Sequence, residues 1–213
     1  MTEIWLIRHG ETDWNRVRRL QGWTDIPLND HGRFQAASLA ERLREEALAA
    51  PFHAIYSSDL QRAFDTARPV AEALDLRVRA EPGLRERCYG VLEGLTMDTM
   101  DSAQPEAAAA WRSREPQRAV EGGETLRQFR DRVVATVDDA AQRHVGERLL
   151  MFTHGGALDI VWRHAQDLPL TPPRAAALLN AGINRIAVSD GKWRIMGWGD
   201  VTHIEARAKD DVV

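Results

Sequence analysis

Cysteine and lysine are both scarce in this chain of 213 residues, and each scarcity excludes a class of site. Cys88 is the single cysteine, so no disulfide can form within the chain, and a reducing cytoplasm is the expected location. Lysine occurs only at Lys192 and Lys209. A phosphate-binding P-loop needs Gly-Lys followed by Ser or Thr, whereas Trp193 follows Lys192, so a nucleotide site of that type is excluded.

Long apolar runs and blocks of basic residues are also absent. No stretch approaches the roughly 20 apolar residues that span a bilayer, and the first residues do not resemble a signal peptide, so we expect no membrane association. The net charge is −4 without a basic block, which argues against nucleic acid as a partner. With 44% hydrophobic and 28% charged residues, the chain is expected to fold as one soluble globular domain.

Apolar runs alternate with helical patterns along the chain. Strands are predicted at 4–7, 53–57, 76–80 and 148–152, and helices at 33–48, 60–74, 124–142 and 157–163. Asp190-Gly191 is typical of the turn of a β-hairpin. The alternation predicts an α/β fold, a three-layer sandwich whose mostly parallel sheet is flanked by helices and ends in a C-terminal antiparallel hairpin.

Two segments depart from this alternation. Residues 81–123 are punctuated by Pro and Gly and mostly lack periodicity, apart from a helical pattern at 107–111. So long an irregular stretch is expected to form a cap over the site, because such loops commonly carry function. Residues 206–213 look like a frayed tail. The predicted organisation is therefore a single domain over 1–205 with a cap-like insertion at about 81–123.

The most informative feature is a strand that ends in Arg8-His9-Gly10. Residues 6–15 read LIRHGETDWN, so an apolar run is followed directly by a cation, an imidazole and a glycine. Open α/β folds bind their ligands at the carboxyl edge of the sheet, and Gly10 allows the backbone a close approach there. A neutral imidazole is a competent nucleophile toward phosphorus when a backbone carbonyl holds one ring nitrogen as N–H.

Two further segments are expected to bring phosphate-binding groups to the same edge. Arg62 lies in residues 57–67 (SSDLQRAFDTA), about one turn into a helix that Ser58 or Asp59 is expected to cap. Its guanidinium group could bind phosphoryl oxygens in a bidentate manner. His154, in residues 152–156 (FTHGG), again follows a strand and precedes a helix. Both imidazoles should therefore converge on one pocket, with the helix N-terminus pointing at the phosphate.

These segments resemble the signature of the histidine phosphatase superfamily, in its phosphoglycerate mutase-like branch, over essentially the whole chain. The resemblance implies the phosphoglycerate mutase-like fold and a reaction in which His9 becomes phosphorylated. It implies catalytic roles for Arg8, Arg62 and His154 beside it, and it assigns the proton donor to Glu86. A carboxyl in that role must be protonated before it can serve the alkoxide leaving group.

The resemblance also implies residues that touch phosphate or substrate. They come from the turn after the first strand, from residues 84–90 (LRERCYG) and from the position after His154, and they are Asn15, Gln21, Gly22, Thr24, Arg87, Tyr89 and Gly155. Trp23 and Trp111 are expected to overhang the site. Residues 121–125 (EGGET) match a family motif as well, although a turn with a helix cap explains them equally well.

Two activities share these residues, because a mutase returns the phosphoryl group to another hydroxyl whereas a phosphatase passes it to water. The mutases carry a longer segment after the proton donor, while residues 95–120 here are short and offer Arg112, Arg114 and Arg118 but no lysine. A more open cap should admit water. The favoured hypothesis is a phosphomonoester hydrolase of the broad-specificity acid phosphatase or α-ribazole phosphatase type. The alternatives are mutase-type phosphoryl transfer and a phospho-ligand-binding module without turnover.

No metal and no cofactor are expected, because the predicted site holds imidazole and guanidinium groups rather than Asp, Glu or Cys at ligand spacing. The expected partner is a small phosphorylated metabolite. The sequence leaves open which metabolite this is, and it leaves open the oligomeric state, with a homodimer as one alternative.

Overall fold

One six-stranded sheet runs through the computed structural model, which describes residues 1–204. Its strands are β1 (Thr2–Arg8), β2 (Ala54–Ser57), β3 (Val78–Ala80), β4 (Arg148–Thr153), β5 (Ile183–Ser189) and β6 (Lys192–Asp200). The strand order is β3-β2-β4-β1-β5-β6. The first four strands of that order are parallel, whereas β5 is antiparallel to both β1 and β6. The predicted sheet, mostly parallel with a C-terminal antiparallel hairpin, is confirmed.

Helices cover both faces of this sheet. The α-helices of residues 1–204 are α1 (Asp13–Arg16), α2 (Asp30–Ala49), α3 (Gln61–Leu74), α4 (Met100–Ala103), α5 (Pro105–Ser113), α6 (Leu126–Arg143) and α7 (Gly155–Ala165). Successive β1 side chains point to opposite faces. Trp5 and Ile7 therefore pack with α2 and α3, while Ile4 and Leu6 pack with α6 and α7. This is the three-layer sandwich that the sequence predicts.

Local signals set several of the element ends. Thr125 is the N-cap of α6 and forms a reciprocal capping box with Gln128, so the helix-cap interpretation of residues 121–125 is confirmed. Asp190 and Gly191, with φ of 52° and 71°, turn β5 into β6. Positive φ at both central residues suits the tight hairpin turns whose twist matches that of the strands.

The buried face of α2 differs from the predicted one. The periodicity of residues 33–48 predicts an inner face made of Phe34, Ala37, Ala40, Leu43 and Ala47. Ala40 and Leu43 are buried as predicted, but Phe34 is 48% exposed and Ala37 is also exposed, whereas Ala36 and Leu39 are buried. The helix also begins earlier, at Asp30, because the Asn29 side chain accepts a hydrogen bond from the Gly32 N–H and caps it. The sequence pattern therefore gave the right element but the wrong phase at its first turns.

Residues 81–123 contain more helix than predicted. Beyond the short 3₁₀ turns Pro82–Leu84 and Gly90–Leu92, they contain α4 and α5, and they enclose a small apolar core of their own around Leu92, Met100 and Ala108. The predicted frayed tail at 206–213 lies outside the described residues. Within the described part of the chain, no helix is long and apolar enough to cross a membrane.

Candidate active site

His9 and His154 lie next to each other at the carboxyl edge of the sheet. β1 and β4 are adjacent and parallel, and their last paired residues are Arg8 and Thr153. The residue that follows each strand is a histidine, and the two ring centroids are 5.1 Å apart. Both side chains are buried, with exposures of 3% and 0%. The predicted convergence of the two imidazoles is therefore a consequence of the strand register.

The hydrogen bond to Gly10 determines the tautomer of His9. Nδ1 of His9 lies 2.7 Å from the carbonyl oxygen of Gly10. A carbonyl can only accept, so Nδ1 carries the proton and Nε2 keeps its lone pair. A Cβ at Gly10 would lie 2.6 Å from the carbonyl oxygen of Gly32, so only glycine permits the close approach of this turn to α2.

The electrostatics of the site keep His9 neutral. Burial lowers the pKa of His9 well below its usual value, and the positive charges of Arg62 and Arg8 lower it further. Burial, the charge of Arg62 and the neighbouring His9 likewise hold the pKa of His154 low. A neutral imidazole is the nucleophilic form, so the protonation state of His9 near pH 7 suits the nucleophilic role that the sequence predicts.

Arg62 is fixed from two sides in the first turn of α3. Its Nη2 donates to the carbonyl of Gly22 over 2.7 Å, and its Nη1 donates to the carbonyl of Thr24 over 3.0 Å. Burial lowers its pKa to about 10, so the guanidinium remains charged near neutral pH. A buried cation beside a neutral nucleophile is suited to hold a phosphoryl group and the charge that moves during transfer.

The Glu86 carboxyl lies at the N-terminus of α7. Its two carboxyl oxygens accept from the backbone N–H groups of Arg87, over 2.8 Å, and of Gly156, over 2.9 Å. The Glu86 carbonyl in turn accepts from the indole of Trp23 over 2.8 Å. In this structure the helix N-terminus thus holds the predicted proton donor, whereas the sequence predicted that it would point at phosphate.

One cavity brings most of the predicted site residues together. Nine of the twelve contribute to its lining: Arg8, His9, Asn15, Gln21, Gly22, Arg62, Glu86, Tyr89 and Gly155. His154 is fully buried against His9 and is not among the lining residues. Thr24 touches Arg62 only through its carbonyl, and Arg87 lines a neighbouring cavity instead.

The predicted cap of α3 is wrong. Leu60, not Ser58 or Asp59, occupies the N-cap position and makes no side-chain cap. The Asp59 carboxylate is paired with Arg85, whose hydrogen bond lowers the pKa of that carboxyl. The Ser58 hydroxyl lies 2.8 Å from Nε2 of His154 and so helps to orient that ring. Asp25 instead accepts from the N–H of Gln61 over 2.7 Å, which satisfies the helix end from another loop.

Several residues of the site are not in the predicted set. Trp14, Arg18, Arg19 and Arg174 also line the cavity, as does the predicted overhanging residue Trp111. Nothing in their sequence context separates these arginines from the many others in the chain. Trp23, the other predicted overhanging residue, is absent from the lining and holds Glu86 from outside.

Sequence and structure comparisons identify the family. The pattern of the Histidine phosphatase superfamily (branch 1) matches residues 4–201. The chain belongs to the histidine phosphatase superfamily. It is 38% identical over 206 residues to phosphoglycerate mutase-like protein 4 of Arabidopsis thaliana, covering 95% of this chain and 87% of the relative. It is 39% identical over 209 residues to a metal-independent phosphoserine phosphatase of the same plant, covering 97% and 84%.

A solved structure has the same fold as this histidine phosphatase. The mycobacterial glucosyl-3-phosphoglycerate phosphatase in complex with VO3 superposes with a TM-score of 0.80 and 30% sequence identity, covering 92% of this chain and 98% of the other. The predicted phosphoglycerate mutase-like fold and the predicted phosphatase are thereby confirmed at the level of the family. Among residues 1–204, no group of three or more His, Cys, Asp or Glu side chains is placed to hold a metal ion.

Proposed function

We propose that this protein hydrolyses small phosphomonoesters through a phosphohistidine formed at Nε2 of His9. The observation that carries the proposal is the bond from Nδ1 of His9 to the Gly10 carbonyl, which leaves the Nε2 lone pair on a neutral ring beside two guanidinium groups. Arg8 and Arg62 then bind the phosphoryl oxygens, while Glu86 protonates the oxygen of the leaving group.

The proposed reaction has two displacements at phosphorus. Nε2 of His9 attacks, the bond from phosphorus to the ester oxygen breaks, and Glu86 gives its proton to the departing alkoxide. In the second step water attacks the phosphohistidine, Glu86 takes a proton from that water, and the bond from phosphorus to Nε2 breaks. Inorganic phosphate leaves and both side chains return to their starting states.

Hydrolysis is favoured over mutase-type transfer for two reasons. One relative is named a phosphoserine phosphatase and one structural neighbour a glucosyl-3-phosphoglycerate phosphatase. The short span at 95–120 is expected to leave the phosphoenzyme accessible to water. The mutase alternative is represented among the relatives by a phosphoglycerate mutase-like protein, so the experiment must separate the two.

A product assay separates these alternatives. Purified protein is incubated with a panel of phosphorylated metabolites, including phosphoserine and 3-phosphoglycerate, with and without a bisphosphorylated primer. We expect free phosphate from several members of the panel and no 2-phosphoglycerate. Conversion of 3-phosphoglycerate to 2-phosphoglycerate with negligible phosphate release would show a mutase. Binding of these compounds without any product would show a ligand-binding module.

The cytoplasmic location, the lack of a nucleic-acid partner and the homodimer alternative stay predictions from the sequence. A small phosphorylated metabolite as substrate agrees with the names of the relatives.

A further inference from the structure

Two cavities meet beneath the cap. The first holds His9, Arg62 and Glu86 and has a volume of about 90 Å³. The second has a volume of about 340 Å³, which is within the range of small-molecule sites. Tyr89 and Trp111 line both cavities, so the two spaces are adjoining parts of one larger site.

The proton donor lies at the junction of the two cavities. The Glu86 carboxyl lines the first cavity and accepts from the N–H of Gly156, and Gly156 lines the second cavity. The oxygen that Glu86 protonates carries the organic part of the substrate. That organic part therefore starts next to the second cavity, which is the larger of the two.

Part of the lining of the second cavity is apolar. Trp111 of α5, Phe129 of α6 and Ile160 of α7 contribute large apolar side chains to it. Flat rings bury large apolar areas and pack well against aromatic side chains. A leaving group with a flat apolar body can pack against these three side chains.

Another part of the lining is strongly cationic. Four guanidinium groups line the second cavity, and Asp159 is the one carboxylate among its lining residues. The Oδ2 atom of Asp159 is already shared by Arg114 at 3.3 Å, Arg163 at 3.0 Å and Arg174 at 4.0 Å. One carboxylate is thus shared by three guanidinium groups, and the cationic part of the lining has an excess of positive charge.

Two of the cations are held there at a desolvation cost. Burial lowers the pKa of Arg87 and of Arg114, because the charged form of each guanidinium group has lost favourable contacts with water. The Arg87 Nε donates only to a neutral group, the backbone carbonyl of Glu124, over 2.9 Å. An anionic group on the ligand would restore part of the lost solvation through charge-assisted hydrogen bonds.

We propose that the second cavity binds the leaving group and selects an alcohol that has a flat apolar body and also carries a carboxylate. The inference rests on the proposed phosphomonoesterase function, since it needs the ester oxygen to lie at Glu86. In this arrangement the apolar body packs between Trp111, Phe129 and Ile160, and the carboxylate meets the guanidinium groups. The first cavity then carries out the phosphoryl transfer, and the second determines which class of phosphomonoester is hydrolysed.

Matched aryl phosphates test the proposal on the unaltered protein. The probes are 6-carboxy-2-naphthyl phosphate and its neutral isostere, 6-carbamoyl-2-naphthyl phosphate, with p-nitrophenyl phosphate as the general substrate. A hydrogen bond to a charged group is worth enough for roughly 10-fold in kcat/KM, so we expect at least that preference for the carboxylate. Equal kcat/KM for the two naphthyl esters, with p-nitrophenyl phosphate hydrolysed, would refute the second-cavity assignment alone. Failure on all three probes and on the metabolite panel would refute the proposed function.

A pair of arginine variants tests whether the guanidinium groups of the second cavity cause the preference for the carboxylate ester. Arg112 lines the second cavity, has a side-chain exposure of 42% and pairs with Asp101. Arg130, on the outer part of α6, has an exposure of 41% and pairs with Asp131, so it is a matched control. We expect Arg112→Gln to reduce the ratio of the two kcat/KM values several-fold and Arg130→Gln to leave it unchanged. An equal loss of the preference in both variants would contradict the assignment of the carboxylate to this cavity. If neither variant changes the preference, the carboxylate is bound by Arg87, Arg114 or Arg174, the other guanidinium groups of the lining.

Discussion

The Glu93 carboxylate holds Thr24 by two hydrogen bonds, 2.9 Å from its backbone N–H and 2.8 Å from its hydroxyl. The other carboxyl oxygen accepts from the N–H groups of Trp23 and Tyr89, each over 3.0 Å. Arg62 in turn donates to the carbonyl of Thr24. Glu93 thus connects the loop that orients Arg62 to the segment that contains Tyr89, and we interpret it as a positioning residue.

Removal of this carboxylate should weaken substrate binding. Glu93→Ala leaves four donors without their acceptor, which should cost on the order of 1–3 kcal/mol in stability and raise KM more than it lowers kcat. Glu93→Gln keeps one carbonyl oxygen and should fall between Ala and the unaltered protein. Steady-state kinetics and urea unfolding measure both effects. Glu115→Gln, at an exposed carboxyl of the cap, is the control, and equal kinetics for Glu93→Ala and this control would contradict the positioning role.

A second prediction concerns the proton donor. Glu86→Gln should slow the hydrolysis of alkyl phosphates by roughly 10²–10⁴-fold, because an alkoxide needs a proton to leave. p-Nitrophenolate is a good leaving group, so formation of the phosphoenzyme from p-nitrophenyl phosphate should suffer much less. Single-turnover rates for the two esters provide the comparison, with Glu121→Gln as the exposed control. An equal loss for both esters would assign Glu86 a role other than general acid.

Acidification should destabilise the fold through the two buried histidines. Burial keeps the pKa of His9 and His154 low in the folded protein, whereas unfolding returns each to its usual value near 6.5. Below that pH the unfolded chain binds protons that the folded chain does not, so stability decreases as the pH falls. At about pH 5.5 each histidine should contribute up to about 1.4 kcal/mol of this loss.

Urea unfolding at about pH 7.5 and about pH 5.5 measures this effect. His154→Gln should lose less stability on acidification than the unaltered protein, while His31→Gln, a variant at the surface end of α2, should lose as much. If His154→Gln and the unaltered protein lost the same amount, protonation of His154 would not contribute to the pH dependence.

A fourth prediction concerns inhibitors. Vanadate mimics pentacoordinate phosphorus and should inhibit hydrolysis by occupying the site of His9 and Arg62. A relative of known structure was solved with VO3. A chelator should leave the rate unchanged, because among residues 1–204 no three His, Cys, Asp or Glu side chains are grouped so that they could hold a metal ion. Loss of activity in EDTA that added zinc or magnesium restores would contradict the proposed metal-free reaction.

The sequence predicted those parts of the fold and site that depend on strand order and local motifs. Arg8-His9-Gly10 and His154-Gly155 each follow an apolar strand, and the parallel pairing of two such strands places both histidines at one edge. Periodicity alone could not fix the phase of α2, since alanine occurs on both its buried and exposed faces, and Phe34 proved to be exposed.

The cap could not be derived in the same way. Its residues reach the site through loop contacts that have no period. The same holds for Arg19 and Arg174, which lie outside residues 81–123 and carry no sequence signal that separates them from solvated arginines. Glu93 is similar, because three of its four hydrogen bonds reach residues about 70 positions away, Trp23 and Thr24. The N-terminus of α3 likewise depends on a distant residue, since Asp25 satisfies it instead of Ser58 or Asp59.

The most direct test of the account is a rapid-quench experiment that detects the phosphoenzyme. The unaltered protein is mixed with a labelled phosphomonoester, quenched within the first turnover and digested, and the phosphorylated peptide is identified by mass spectrometry. We predict an acid-labile phosphoryl group on His9 that forms and decays at rates compatible with turnover, and no such group on a folded His9→Ala variant, which should be inactive. Phosphate release by His9→Ala at about a tenth of the unaltered rate or more, or turnover without any phosphohistidine, would contradict the account.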